Sequence, residues 1–196
     1  MDRCKIIGLT GQSGAGKSTV LSCFEQSGIR VFNADLAVKE IYESGSACLK
    51  AVAAEFGADI ITPGQGLNRR LLAQRAFSSR ENTQKLNSLV HPFVTALLLR
   101  KIKETKPKVL IVDAPQLFES NLDAVCDVII SVVADEETRL HRICERDGID
   151  EHQARMRLSA QLDEKFFRDN SDFIIVNNAD KASLLKKARE ISDKIL

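Results

Sequence analysis

The chain has 196 residues, 44% of them hydrophobic, with 28 basic and 27 acidic side chains and a formal charge of +1. That is enough apolar material for one compact α/β domain with a small appendage, and it argues against wholesale disorder. The near-neutral balance leaves no basic footprint for wrapping nucleic acid, so any bound anion must be caught locally by a few placed groups.

Five cysteines, Cys4, Cys23, Cys48, Cys126 and Cys144, are scattered without a Cys-x-x-Cys pair. Neither a disulfide framework nor a zinc site fits that spacing, and thiols in a reducing compartment are expected. The apolar run near the N-terminus is too short for a signal peptide, and no stretch reaches membrane-spanning length. A soluble, cytoplasmic protein is expected.

In chain order, Ile6–Thr10 reads as a strand, Gly11–Gly16 as a glycine-rich loop and Lys17–Ser27 as a helix with apolar spacing at Val20, Leu21 and Phe24. Ile29–Asn33 reads as a second strand. Helices follow over Asp35–Tyr42 and Ala47–Phe56, with Gly57 as a stop and Pro63-Gly64-Gln65-Gly66 as a turn. From Arg69 to Lys103 the pattern is helical, and His91-Pro92 predicts that one helix ends there and another begins. Val109–Val112 and Val128–Val133 read as buried strands, Glu136–Arg146 and Glu151–Leu162 as helices, Phe173–Val176 as a last strand and Lys181–Ile195 as an amphipathic closing helix. Five short strands separated by helices predict an α/β, three-layer P-loop fold around a five-stranded parallel sheet. The expected division is a nucleotide-binding core (1–57, 108–134 and 171–196), a helical substrate subdomain (58–107) and a helical lid (135–170).

Gly11-Gln12-Ser13-Gly14-Ala15-Gly16-Lys17-Ser18 fits G-x-x-x-x-G-K-[ST], lies between a strand and a helix, and is followed by Thr19. Its glycines let backbone N–H groups turn inward as an anion cradle, reinforced by the helix N-terminus. Gly14, Ala15, Gly16, Lys17, Ser18 and Thr19 are therefore the candidate ATP site, with Lys17 reaching the β- and γ-phosphates and Ser18 ligating Mg²⁺. Asn178-Ala179-Asp180-Lys181 has the wrong order for a guanine-reading Asn-Lys-x-Asp. Asp35, just past the second strand, reads either as a base for an attacking hydroxyl or as a helix N-cap. Asp113, ending the third strand, reads either as a carboxylate holding the Mg²⁺ shell through water or as a turn residue. Arg139, Arg142 and Arg146 share one helix face. They read as cations closing over a transferred phosphoryl group, or as a solvated face paired with Glu136, Glu137 and Glu145, the solvated reading being favoured most for Arg139.

Several further segments are similar to the dephospho-coenzyme A kinase family across nearly the whole chain. Gly8-Leu9-Thr10-Gly11 with the P-loop and Val20 resembles that family's opening. Asn33-Ala34-Asp35-Leu36-Ala37 resembles its Asp-Ala-Asp segment, and Leu67-Asn68-Arg69 with Leu72 and Phe77 its Leu-Asp-Arg helix start. Leu89-Val90-His91-Pro92 resembles its His-Pro signature, and Asp113-Ala114-Pro115-Gln116-Leu117-Phe118-Glu119 its Asp-x-Pro-Leu-Leu-Phe-Glu stretch. Arg142, Arg146-Asp147-Gly148 and Gln161 resemble its lid, and Asp172 with Asn177 its final strand. The resemblance implies ATP-dependent phosphorylation of the 3′-hydroxyl of dephospho-coenzyme A, with Mg²⁺ as cofactor and no obligate protein partner. It implies Asp35 as base, Lys17 as γ-phosphate clamp, Arg142 and Arg146 as lid arginines, and Arg69 and His91 as acceptor-side residues. Gln12, Asn33, Asn68, Gln116, Arg139 and His141 depart from the family's usual residues. Another small-molecule kinase, acting on a nucleoside monophosphate, shikimate or a sugar acid, and a non-catalytic nucleotide sensor are the competing readings.

Overall fold

The computed structural model describes residues 3–43, 45–62, 64 and 66–195. Five strands, β1 (Lys5–Gly11), β2 (Arg30–Asn33), β5 (Val109–Asp113), β6 (Val128–Val133) and β7 (Phe173–Val176), form one parallel sheet in the order β2-β5-β1-β6-β7. Two short strands, β3 (Ile61–Thr62) and β4 (Gly66–Leu67), pair antiparallel apart from it. They flank the expected turn, of which Pro63 and Gln65 lie outside the described residues.

The strands read as continuous apolar runs because both faces of the sheet are covered. Alternate residues point to opposite sides. Ile7, Leu9, Ile111, Ile130, Val132 and Ile175 pack on one side against α1 (Lys17–Gln26) and α9 (Lys181–Ile195). Ile6, Phe32, Leu110 and Val112 pack on the other against α2 (Ala34–Ile41) and α5 (Arg80–Thr105). Each fully buried large side chain, such as Phe24 or Ile111, stabilises the fold by about 1.5–3 kcal/mol.

A third cluster lies off the sheet. Tyr42, Leu49, Val52 and Phe56 from the end of α2 and from α3 (Ala47–Phe56) pack with Ile60, with Leu72 and Ala76 of α4 (Arg69–Ala76), and with the first half of α5. A fourth joins α6 (Glu136–Asp147) to α7 (Glu151–Ser159) through Leu140, Ile143, Ala154 and Leu158.

Two expected boundaries move. The helix does not break at His91-Pro92: α5 runs through it, and the interruption lies at Phe77–Ser79, where the Ser79 hydroxyl accepts from the Asn82 N–H at 3.1 Å. Pro92 and Ser88 are both exposed, so the Ser88 carbonyl that loses its partner can turn to water while Val94, Leu97 and Leu98 hold the helix on the sheet. The expected helix at Glu151–Leu162 ends at Ser159. A separate α8 (Glu164–Asp169) starts where Asp163 accepts from the Phe166 N–H at 2.7 Å. Among the described residues no helix is long and apolar enough to cross a membrane.

Candidate active site

Because the sheet is parallel, all five strands end at the same edge, where open α/β sheets bind their ligands. The loop after β1 uses Gly14 and Gly16 at φ +78° and +102°. A Cβ on Gly14 would stand 2.8 Å from the Arg139 carbonyl oxygen, and one on Gly16 2.5 Å from Asn177 Nδ2. Only glycine meets both demands. The loop's carbonyls are drawn outward: Asn177 Nδ2 donates to Ala15 O at 2.7 Å and Arg142 Nη1 to Gly14 O at 3.3 Å. Gln161 Oε1 accepts from the Ser13 N–H at 3.2 Å. No side chain caps α1; the Thr19 N–H donates to Gly16 O at 3.0 Å, and the Lys17 and Ser18 N–H groups at the start of the helix are left for an anion. Lys17 and Ser18 open that turn, and Ser18 is exposed.

Asp113 ends β5 at the centre of this edge, in register with Asn33 on β2 and Leu9 on β1. It is 5% exposed. One carboxylate oxygen forms an ion pair with Lys17 Nζ, and the other accepts from Asn33 Nδ2 at 3.1 Å. Asn33 also caps α2, its Oδ1 accepting from the Leu36 N–H at 2.9 Å. This separates the two readings of Asp35. The cap is Asn33, and Asp35 stands exposed in the first turn of α2. Had Asn33 been a carboxylate, it would have faced Asp113 with no donor between them. Asn68, a second amide, caps α4 by accepting from the Leu71 N–H at 3.0 Å and sets Arg69 at the helix start.

Asp35, Arg69 and His91 line one cavity of about 510 Å³, with Phe77 and Glu119 on its walls. Phe77 is 66% exposed. Burial pushes the Glu119 carboxyl above the ordinary glutamate range, and burial likewise raises the Tyr42 phenol at the cavity wall.

The three arginines of α6 differ in role. Arg142 lies against the P-loop, its Nη1 also donating to Asn177 O at 3.2 Å. Arg139, expected to be the most solvated, is the most buried: it is 7% exposed and its Nε donates to Ala134 O at 3.0 Å. Burial lowers its guanidinium from the usual value. Its Nη1 and the Gln12 Oε1 are buried without a hydrogen-bond partner among the described residues. Arg146 faces outward and forks onto Asp147, which also takes Arg157. Glu136 and Glu137 pair instead with Arg155. Asn177, whose amide shapes the loop from β7, is a site residue that the sequence suggested only through the final-strand resemblance.

A parallel sheet with a P-loop after its first strand, a carboxylate ending a neighbouring strand and a second carboxylate lining a neighbouring cavity defines a P-loop small-molecule kinase. The dephospho-CoA kinase family profile matches residues 5–183. A dephospho-CoA kinase of Arabidopsis thaliana is 38% identical over 177 residues, covering 89% of this chain and 76% of its own. One from Fusobacterium nucleatum is 36% identical over 191 residues, covering 97% and 98%. A crystal structure from Thermus thermophilus superposes with a TM-score of 0.82 at 27% identity, over 99% of each chain. A shikimate kinase from Acinetobacter baumannii, TM-score 0.53 at 14% identity over 99% of this chain and 94% of its own, shares the fold alone. The chain belongs to the dephospho-CoA kinase family.

Proposed function

We propose that this chain transfers the γ-phosphoryl group of ATP to the 3′-hydroxyl of the ribose of dephospho-CoA, releasing ADP and CoA as the last step of CoA biosynthesis. The observation that carries this reading is Asp35: it is free of capping duty and opens into the same cavity as Arg69 and His91, next to the edge where the P-loop lies.

In the reaction, the acceptor oxygen bonds to the γ-phosphorus as the bond from that phosphorus to the β–γ bridging oxygen breaks. The hydroxyl proton passes to Asp35. Because the transition state is loose, orienting the hydroxyl accounts for much of what Asp35 contributes. The loop and helix turn over Gly14, Ala15, Gly16, Lys17, Ser18 and Thr19 cradle the phosphates, the Ala15 and Thr19 N–H groups donating to Gln12 O and Gly16 O before nucleotide binds, and Lys17 leaves Asp113 to clamp the γ-phosphate. Arg142, already on the P-loop, and Arg146, turned inward on lid closure, neutralise charge on the departing ADP. Arg69 and His91 serve the acceptor. This reading keeps the division into core, acceptor subdomain 58–107 and lid 135–170 as a proposal, with α3, counted in the core, packing on the helices of 58–107.

The Ser18 hydroxyl and the Asp113 carboxylate are hard oxygen donors of the kind that suits Mg²⁺ beside nucleotide phosphates. Mg²⁺ held there, by Ser18 and through water by Asp113, would offset the negative charge of the nucleotide phosphates. ATP and dephospho-CoA are the partners, and the reading carries a cytoplasmic location, checked by cell fractionation.

The test is ADP release from Mg²⁺-ATP with dephospho-CoA, AMP, shikimate or gluconate as acceptor. Turnover with dephospho-CoA alone, lost in Lys17→Ala and reduced about 10²–10⁴-fold in Asp35→Asn, is expected. Asp35→Asn should leave the melting temperature unchanged. Turnover with a different acceptor would discard the substrate. No turnover with any, in protein that binds ATP, would favour a nucleotide sensor.

A further inference from the structure

One wall of the acceptor cavity is an irregular segment, residues 114–122, that follows β5 and carries Pro115, Gln116, Glu119 and Ser120. Its near end is tied to the sheet: the Ala114 N–H donates to Leu9 O at 3.1 Å, and Thr10 Oγ1 donates to Pro115 O at 3.2 Å. Its far end turns on Asn121, which sits at φ +56° and ψ +23°, a left-handed conformation that asparagine adopts more readily than other non-glycine residues.

Two side chains of α5 hold it. Asn87 Nδ2 donates to Glu119 O at 2.8 Å, and His91 Nε2 lies 2.9 Å from Asn121 O. The two residues are four apart, so they share one helix face. A carbonyl oxygen only accepts, so His91 must carry its proton on Nε2, and that nitrogen is committed to the protein backbone. From the other side Phe118 packs edge-on against Phe166 and Phe167 of α8, with ring centroids at 5.2 and 6.0 Å. Within the segment, the Asn121 N–H donates to Phe118 O at 3.1 Å, the Ser120 N–H to Gln116 O at 3.0 Å and the Leu122 N–H to Leu117 O at 3.0 Å; the side-chain ties to the Glu119 and Asn121 carbonyls come from α5.

We propose that His91 and Asn87 are positioning residues: they serve the acceptor by clamping the Asn121 and Glu119 carbonyls, which fixes the cavity wall and aims the Glu119 side chain, and His91 does not use its Nε2–H on the acceptor. This rests on the reading that the cavity takes the phosphoryl acceptor. It changes the role assigned to His91 from ligand to brace, and it adds Asn87, which no sequence motif marked.

The test pairs steady-state kinetics with amide hydrogen exchange on the ligand-free protein. Glutamine places its amide nitrogen close to where Nε2 lies, whereas asparagine reaches only the Nδ1 position. His91→Ala should raise KM for dephospho-CoA by up to about tenfold, the upper end for one lost hydrogen bond. KM for ATP should stay within about twofold. Exchange of the amides at 118–122 should quicken. His91→Gln should restore both readouts, His91→Asn should restore neither, and Asn87→Ala should shift both in the same direction as His91→Ala. The brace is overturned if His91→Ala leaves the exchange of 118–122 unchanged, or if His91→Gln binds the acceptor as poorly as His91→Ala while exchange is restored. Exchange needs no acceptor, so wild-type protein that ignores dephospho-CoA yet shows the exchange pattern would sink the substrate assignment and leave the brace standing.

Discussion

Replacing Asp113 by Asn should tighten ATP binding when no divalent cation is present and weaken it when Mg²⁺ is. Lys17 cannot grip phosphate while it holds Asp113, and the pair is well sheltered, with side-chain exposures of 15% and 7%. At an effective dielectric near 20, opposite charges about 4 Å apart attract by about 4 kcal/mol before desolvation is counted. Desolvation cancels much of that, and hydrogen bonds to charged groups net about 1.5–3 kcal/mol. An amide in place of the carboxylate keeps the shape and one acceptor oxygen, so about half of the net interaction should be lost. Phosphate binding then displaces a weaker partner, for a gain of about 1.4 kcal/mol, or tenfold in Kd. With Mg²⁺ present, the lost carboxylate no longer orders the cation's water shell and the gain should vanish or reverse. Calorimetric titration with ATP in EDTA and in Mg²⁺ reads both arms. Repeating it in a Lys17→Ala background separates release of Lys17 from simple removal of a negative charge, because only the first disappears there. An Asp113→Asn variant that binds ATP no better than wild type in EDTA would refute the argument that Asp113 competes for Lys17.

Gly14→Ala should abolish ATP binding and lower stability by about 1–3 kcal/mol, since it meets both a positive φ and the Arg139 carbonyl. Nucleotide titration and thermal melting check it. Pro92→Ala should stabilise the protein by no more than about 1 kcal/mol, since the N–H it restores to the interior of α5 meets a carbonyl that water already reaches, seen as a higher urea midpoint at unchanged slope. Glu119→Gln should gain stability over wild type at pH 7 and lose that gain toward pH 4. Burial raises the Glu119 value in the folded state, so the folded protein holds this proton more tightly than the unfolded chain. The group's contribution to stability is therefore complete below the unfolded value and is lost as pH rises through the folded one. Urea denaturation at the two pH values measures the difference.

The strands were legible because central parallel strands are apolar on both faces, and the P-loop because its glycines answer a local backbone demand. What escaped depends on contacts between distant residues. Asn33 looked like a charge deleted from a motif. Its role as cap and as donor to Asp113 exists only because β2 pairs with β5 in a register that puts the two side by side. Arg139 sits at helical spacing with Arg142, which also meets the P-loop, and with Arg146, which faces outward, and nothing in that spacing says that the P-loop backbone rests on Arg139 at Gly14. The α4–α5 break could have been found from Ser79, an N-cap with Glu81 in the first turn behind it. Pro92 drew the boundary instead, because a proline's damage depends on whether the carbonyl it orphans can reach water.

Sheet parity assigns the two carboxylates to different tasks. Asp113 shares its side of β5 with Ile111, which packs on α1, so its carboxylate meets the P-loop lysine that α1 carries. Asp35 lies two residues beyond β2 on α2, whose Ala34 and Ala37 pack on the other face, and it opens toward the acceptor cavity. In the proposed function, the nucleotide and the acceptor would thus approach one sheet edge from opposite sides. A one-residue slip of β5 would turn Asp113 away from Lys17 and put Val112 in its place. The apolar alternation that packs both faces therefore also enforces the register on which the site depends. Polar substitutions at Ile111 or Val112 should for that reason impair nucleotide binding as well as stability, although neither side chain reaches the nucleotide.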